Sequence, residues 1–161
     1  MDQASLSPLA RALGRVPTGL YVVSVGTPTG PPVGFVGSFV VQVGFDPPTL
    51  CVAVGKARGP LAAMRGAGRF GVSILDRESQ GAMARFFGRL PPGASPFDGL
   101  ALEWAAGGTP VLAEALAWLE CAVEGEHETG DHVVVFGRVT DGRLVREGEP
   151  AVHLRKNGLS Y

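Results

Sequence analysis

Two cations, Lys56 and Arg58, stand among small residues in the segment Gly55-Lys56-Ala57-Arg58-Gly59-Pro60. An apolar, β-branched run precedes the segment, and the pattern of a short helix follows it. Free N–H groups at a helix start, the helix dipole and a Lys/Arg pair together suit a phosphate monoester. The same composition also suits a plain solvated basic loop. A second feature is the stretch Val33-Gly34-Phe35-Val36-Gly37-Ser38-Phe39. Glycine inside a strand costs stability, yet it lets a flat group approach the backbone; a bulge or a barrel corner is the other reason to place it there.

Other motif-like features do not reach chemistry. Gly66-Ala67-Gly68-Arg69-Phe70-Gly71 spells GxGxxG. A dinucleotide fingerprint must leave a strand and enter a helix, and here a helix pattern comes first and a strand pattern second, so a helix-to-strand turn is expected. Gly55-Lys56 lacks the upstream glycine of a Walker loop, and no GxSxG elbow surrounds Ser38. His127 and His132 lie five apart across Gly130-Asp131, too few ligands for a zinc site. Cys51 and Cys121, 70 positions apart and each in an apolar run, read as small buried hydrophobes rather than a disulfide.

The elements that must position these residues are short. Ser7-Pro8 caps and opens a helix whose apolar positions are Leu6, Leu9, Ala10, Leu13 and Val16, stopped by Pro17 and Gly19. Strands are expected over 20–25, 33–45 and 49–54, with a turn at Pro28-Thr29-Gly30-Pro31-Pro32 and a break at Asp46-Pro47-Pro48. A short helix over 60–65 and a strand over 70–75 follow. Asp76 then caps a helix over 77–87, and residues 88–99 form a long loop. Residues 116–124 alternate, with Ala117, Leu119, Cys121 and Val123 on one face and Glu120 and Glu124 on the other. Strands over 132–140 and 151–154 end at expected tight turns, Asp141-Gly142 and Asn157-Gly158. Trp104 and Trp118 are expected in a core rather than as stacking partners. About eight strands joined by tight turns, without a regular βαβ alternation, predict a mainly β, antiparallel barrel with two or three short helices.

Composition narrows the function classes. The 161 residues suit one domain over 1–161 and a self-sufficient core. With 45% apolar and 18% charged residues, the chain is not disordered. A formal net charge of -1 argues against nucleic acid held by bulk charge. The N-terminus lacks the basic start and apolar run of a signal peptide, and no apolar stretch is long enough to span a membrane, so a cytoplasmic setting is expected.

Several runs, in order, carry a resemblance. They are Gly34 to Val54 (GFVGSFVVQVGFDPPTLCVAV), Gly66 to Leu75 (GAGRFGVSIL) and Ala84 to Gly88 (ARFFG). Gly108 to Leu112 (GTPVL) with Ala115 to Cys121 (ALAWLEC), and Gly130 to Val139 (GDHVVVFGRV), complete the set. Together they resemble the flavin reductase-like, FMN-binding split-barrel proteins over about residues 10 to 161.

The resemblance implies a homodimeric, antiparallel split β-barrel that binds FMN, or less often FAD, and receives a hydride from NADH or NADPH. By position, Val36, Gly37, Ser38 and Phe39 would line the flavin ring and ribityl chain. Ser38 and the loop Gly55, Lys56, Ala57 and Arg58 would hold the phosphate. His132 would sit on the nicotinamide side as the catalytic candidate, or alternatively pair with Asp131 in a turn. The family commonly has Thr-Ala-Ser-Ser-Phe where this chain has Val36-Gly37-Ser38-Phe39-Val40, and Gln42 and Gly44 replace common serines. With fewer hydroxyls, the two cations are expected to carry more of the phosphate binding. Hydride transfer between two coenzymes needs stacking and alignment rather than a side-chain nucleophile, so the lack of a triad fits. The expected activity is a flavin reductase that supplies reduced flavin to a partner such as a monooxygenase component. The alternatives are a flavin-holding electron carrier or a non-enzymatic barrel that binds a phosphorylated ligand.

Overall fold

A computed structural model describes residues 6–26, 30–87 and 90–159. Its frame is one antiparallel sheet of seven strands: β2 (Tyr21–Val25), β3 (Val33–Gly37), β4 (Val40–Phe45), β5 (Pro48–Gly55), β6 (Arg69–Ile74), β9 (Ala117–Glu128) and β10 (His132–Leu144). Two small pairs join β1 (Thr18–Gly19) to β11 (Val152–His153) and β7 (Leu102–Trp104) to β8 (Pro110–Leu112). The helices are α1 (Pro8–Leu13), α2 (Gly59–Ala67) and a 3₁₀ helix (Ser79–Phe86).

Sheet order is β3-β2-β6-β9-β10-β5-β4, so β3 and β4 are the two outer strands. Laid flat, outer strands of such a sheet would stand ~29 Å apart at about 4.8 Å per neighbour. Only Ser38 and Phe39 separate β3 from β4 in the chain, a reach of roughly 10 Å. The sheet must therefore curl until its edges approach, which makes it a split barrel with its seam at the Ser38-Phe39 corner. The expected single strand over 33–45 is thus two strands around a corner. The Ala53 N–H donates to the Phe39 carbonyl at 3.0 Å and fixes the corner against β5.

Two-residue periodicity sorts side chains between two cores. On β2, Val23 and Val25 point into the barrel with Val52, Val54, Phe70, Val72, Val133 and Val135. Val22 and the preceding Leu20 instead join Leu75, Phe97, Leu112 and Ala115 in a second cluster, against which Val36, Met83 and Phe86 pack. Each such buried side chain contributes about 1.5–3 kcal/mol of apolar transfer. The helix α2 plugs one barrel end with Leu61 and Met64, and its chain reverses at Gly68, whose φ of 66° suits glycine. The GxGxxG stretch is therefore the turn from α2 into β6.

Other expectations need correction. Asp141-Gly142 is not a turn: β10 runs through it, pairing Asp141 with Glu120 and Gly142 with Leu119 across a register shift. Its glycine is there for packing, since a Cβ would fall 2.6 Å from the Leu119 side chain. Asp76 does cap the next segment. Its Oδ1 accepts from the Ser79 N–H at 2.8 Å and the Ser79 hydroxyl at 2.7 Å. That segment is a 3₁₀ helix, whose three-residue period turns Met83 and Phe86 to the same side. Residues 88–89 of the expected loop, and 28–29 of the expected turn, lie outside the described residues. The rest of the loop is anchored: Phe97 is buried, and the Ser95 hydroxyl donates to the Pro32 carbonyl. At Gly34 the chain is not open to a flat ligand, because Phe97 lies where its side chain would be, 2.7 Å from an added Cβ.

On α1, Ala10 is buried while Leu9 and Leu13 are exposed, as is Val16 beyond its end. Trp118 is buried but Trp104 is exposed. Glu120, on the polar face of β9, is 1% exposed; its carboxylate accepts from the N–H groups of Gly107 and Thr109 and from Arg69. Among the described residues, no helix is long and apolar enough to cross a membrane.

Candidate functional site

A cavity of about 680 Å³ opens beside the Ser38-Phe39 corner. Its main walls are the end of β3 (Val36, Gly37) with Ser38 after it, the 3₁₀ helix (Met83, Phe86) with Phe87 after it, and a C-terminal strap, His153 to Asn157. Arg58, at the start of α2, closes one side. Apolar walls with a few polar groups, at this size, are the usual make-up of a small-molecule site.

The sequence-predicted residues divide. Val36, Gly37, Ser38 and Arg58 line the cavity; Phe39, Gly55, Lys56, Ala57 and His132 do not. Residues Gly55 to Arg58 form a turn in which the Arg58 N–H donates to the Gly55 carbonyl at 2.9 Å. Within it the two cations part company. Arg58 lies over the Phe35 ring, 5.6 Å from its centroid. Lys56 Nζ instead donates to Glu128 Oε2 at 2.9 Å, and that partner holds the Glu128 carboxyl below its ordinary range. On this geometry Arg58 faces the cavity while Lys56 faces Glu128.

His132 opens β10 opposite Gly55. Its Nδ1 shares a hydrogen bond with Asp131 Oδ1 at 2.8 Å, which lowers the Asp131 pKa. Its ring meets Phe39 edge-on at 5.8 Å, and the same Phe39 ring carries Arg155 of the strap. His127 is exposed on β9, and no group of three or more His, Cys, Asp or Glu suited to a metal occurs among the described residues. Cys51 and Cys121 are free, and burial pushes the Cys121 thiol up to about 12.

Among the described residues lining the cavity, two buried polar atoms lack a hydrogen-bond partner. Ser38 is 4% exposed, and its Oγ makes no hydrogen bond; neither does the buried Nε of Arg155. A buried donor without a partner costs on the order of 1–3 kcal/mol, and unlike Thr109 Oγ1 and Trp118 Nε1, which are also unpartnered, these two belong to residues that line the cavity, where a ligand oxygen could meet them. Arg155 was not legible as a site residue because it lies more than a hundred positions from Ser38. The available signal was the pair Arg155-Lys156 in a C-terminal stretch that has no acidic residue after Glu149. A phosphorylated ligand fits these donors: hydroxyl, guanidinium and ammonium groups, with no acidic side chain among the described lining residues.

Fold and cavity thus define a split-barrel protein with a preformed, largely apolar cavity whose charged lining side chains, among the described residues, are Arg58, Arg155 and Lys156. Residues 13–158 match the flavin reductase like domain, and the chain belongs to that family. It is 40% identical over 159 residues to diflavin flavoprotein A 1 of Synechocystis sp., covering 96% of this chain and 27% of the relative. The chain spans about a quarter of the length of such curated relatives. Among solved structures, nitrilotriacetate monooxygenase component B from Mycobacterium thermoresistibile superposes with a TM-score of 0.82 at 32% identity, covering 91% of this chain and 80% of that one. The NADH:FAD oxidoreductase of Streptomyces globisporus C-1027 gives 0.82 at 29% identity, with 94% and 92% covered; it is also known in complex with NAD and FAD fragments.

Proposed function

We propose that this chain is an NAD(P)H-dependent flavin reductase that holds FMN in the cavity beside Ser38. When bound, the flavin would supply the redox chemistry, accepting the reducing equivalents of the nicotinamide nucleotide. The chain's own part is to bind and align. Val36 and Gly37 offer an apolar wall for a ring, Ser38 Oγ offers a buried donor, and Arg58 offers a charged fork for the phosphate. Met83 and Phe86 add further apolar lining. His132 is the candidate on the nicotinamide side, oriented by Asp131.

The observation that carries this reading is the unpartnered, buried Ser38 hydroxyl on a cavity whose charged side chains are all cations. Family membership and the reductase-named neighbours support it. The same reading takes the chain as a cytoplasmic homodimer, in keeping with its free cysteines, and as a source of reduced flavin for a partner enzyme of the monooxygenase type. A second reading draws on the 40% identity to one part of a diflavin flavoprotein: a module that keeps its flavin and relays electrons. Mixing the purified protein with NADH or NADPH and excess free FMN separates the two. Sustained nucleotide oxidation over many turnovers is expected of the reductase. Flavin that copurifies, without turnover of added FMN, supports the relay, and no flavin binding contradicts both.

A further inference from the structure

Three cations line the cavity, and they sit on two separate elements. Arg58 belongs to the turn before α2, whereas Arg155 and Lys156 belong to the C-terminal strap. The arginines carried by strands meet carboxylates: Arg69 meets Glu120, Arg138 meets Glu124 and Arg143 meets Glu103. Arg58, Arg155 and Lys156 meet none among the described residues.

Each guanidinium has its own aromatic seat. Arg58 lies over Phe35 at 5.6 Å and Arg155 over Phe39 at 4.7 Å, and these rings flank the Val36-Gly37-Ser38 wall on either side in the chain. Stacking fixes the planar groups while leaving N–H donors for an anion. The strap is itself held in place. Its Gly158 N–H donates to the Ala10 carbonyl at 2.9 Å, and β11, which leads into it, pairs with β1. Where the strap passes α1 the cap residue is Gly14, and a Cβ there would fall 2.6 Å from the Arg155 carbonyl oxygen. The strap backbone and the Arg155 guanidinium are thus preorganised, which lowers the entropy cost of gripping a ligand.

We infer that Arg155 and Lys156 form a second phosphate subsite, distinct from the one at Arg58, for a ligand that carries a phosphate beyond that of FMN. This inference rests on the flavin reading above. The shared chemistry is the pyrophosphate of a dinucleotide, and it has two possible sources: the adenylate end of FAD, or the nicotinamide nucleotide.

The test compares wild-type protein with Lys156→Glu and Arg155→Gln. Binding of riboflavin, FMN and FAD is followed by quenching of flavin fluorescence, and KM for NADH is measured at saturating FMN. Lys156 is exposed, so its variant carries the test even if Arg155→Gln disturbs Phe39. Riboflavin, which has no phosphate, reports the ring slot and serves as the folding control. The expected result is unchanged riboflavin affinity with about a tenfold or greater loss for a second-phosphate ligand. A fall in FAD affinity relative to FMN assigns the subsite to the flavin's adenylate end; a rise in KM for NADH alone assigns it to the nicotinamide nucleotide. FAD/FMN ratios and KM values that stay within about twofold of wild type would overturn the subsite, as would equal losses for FMN and FAD with KM unchanged. Wild-type protein that binds neither riboflavin nor FMN contradicts the flavin reading itself, a failure visible before any variant is made.

Discussion

Lys56 Nζ donates to Glu128 Oε2 at 2.9 Å, and the ion pair ties the lysine to the end of β9 while Arg58, two residues on, lines the cavity. The split distinguishes two cations that look equivalent in sequence. Arg58→Ala is expected to weaken FMN about tenfold and leave riboflavin unchanged, while Lys56→Ala weakens FMN by less than about threefold. Parallel titrations by flavin fluorescence check this. Equal losses for the two variants would contradict the assignment.

Ser38 predicts an unusual pairing of effects. Its buried Oγ gives the folded protein no hydrogen bond. Ser38→Ala should therefore leave stability unchanged or raise it by up to ~1 kcal/mol, while flavin affinity falls about three- to tenfold. Thermal unfolding without ligand and a flavin titration on the same sample measure both. A clear loss of stability with affinity intact would show the hydroxyl to be structural.

The Asp76–Arg146 pair is expected to contribute to acid stability. Burial alone would raise the Asp76 pKa, but hydrogen bonds from the Ser79 N–H and hydroxyl and from Arg146 outweigh it and hold the carboxyl at about 2, against an ordinary 3.8. A depressed folded-state pKa stabilises above the unfolded value, and that stability is lost as pH falls through the folded one. The contribution is on the order of 2 kcal/mol, present above about pH 4 and disappearing toward pH 2. Asp76→Asn should lower stability at neutral pH and flatten the dependence in that window, as read by denaturant unfolding at several pH values. Because Asp76 caps the 3₁₀ helix that supplies Met83 and Phe86, the variant should also weaken flavin binding.

Glu120 is a buried carboxyl surrounded by donors. Arg69 and the N–H groups of Gly107 and Thr109 all converge on it, fastening the connection between β7 and β8 to β6 and β9. Glu120→Ala strands these donors and is expected to cost about 3–5 kcal/mol, with Glu120→Gln costing less. Urea unfolding midpoints for both variants check the order.

How far the sequence reached depends on the range of the interactions involved. Ser7-Pro8, Asp46-Pro47-Pro48 and Asp76 announce themselves because a cap or a turn is written within a few residues. Asp141-Gly142 carries the same local chemistry yet lies inside β10, where pairing with Leu119 and Glu120 overrides it. The burial of Glu120 depends on Arg69 and on a loop at 107–109, partners that no periodicity within β9 reveals. Half of the proposed site was legible because Val36 to Ser38 and Arg58 belong to runs with strong local patterns. The strap was not, since only the closure of the barrel brings Arg155 to Phe39.

The central claim is that a flavin occupies the space between Val36-Gly37-Ser38 and the 3₁₀ helix, held at its tail by Arg58. A crystal structure of the protein grown with FMN tests it most directly. The account predicts ring density along Val36 to Ser38, a hydrogen bond to Ser38 Oγ and the phosphate at Arg58. Flavin density elsewhere on the barrel, or a cavity closed by Met83 and Phe86 with FMN in excess, would contradict it.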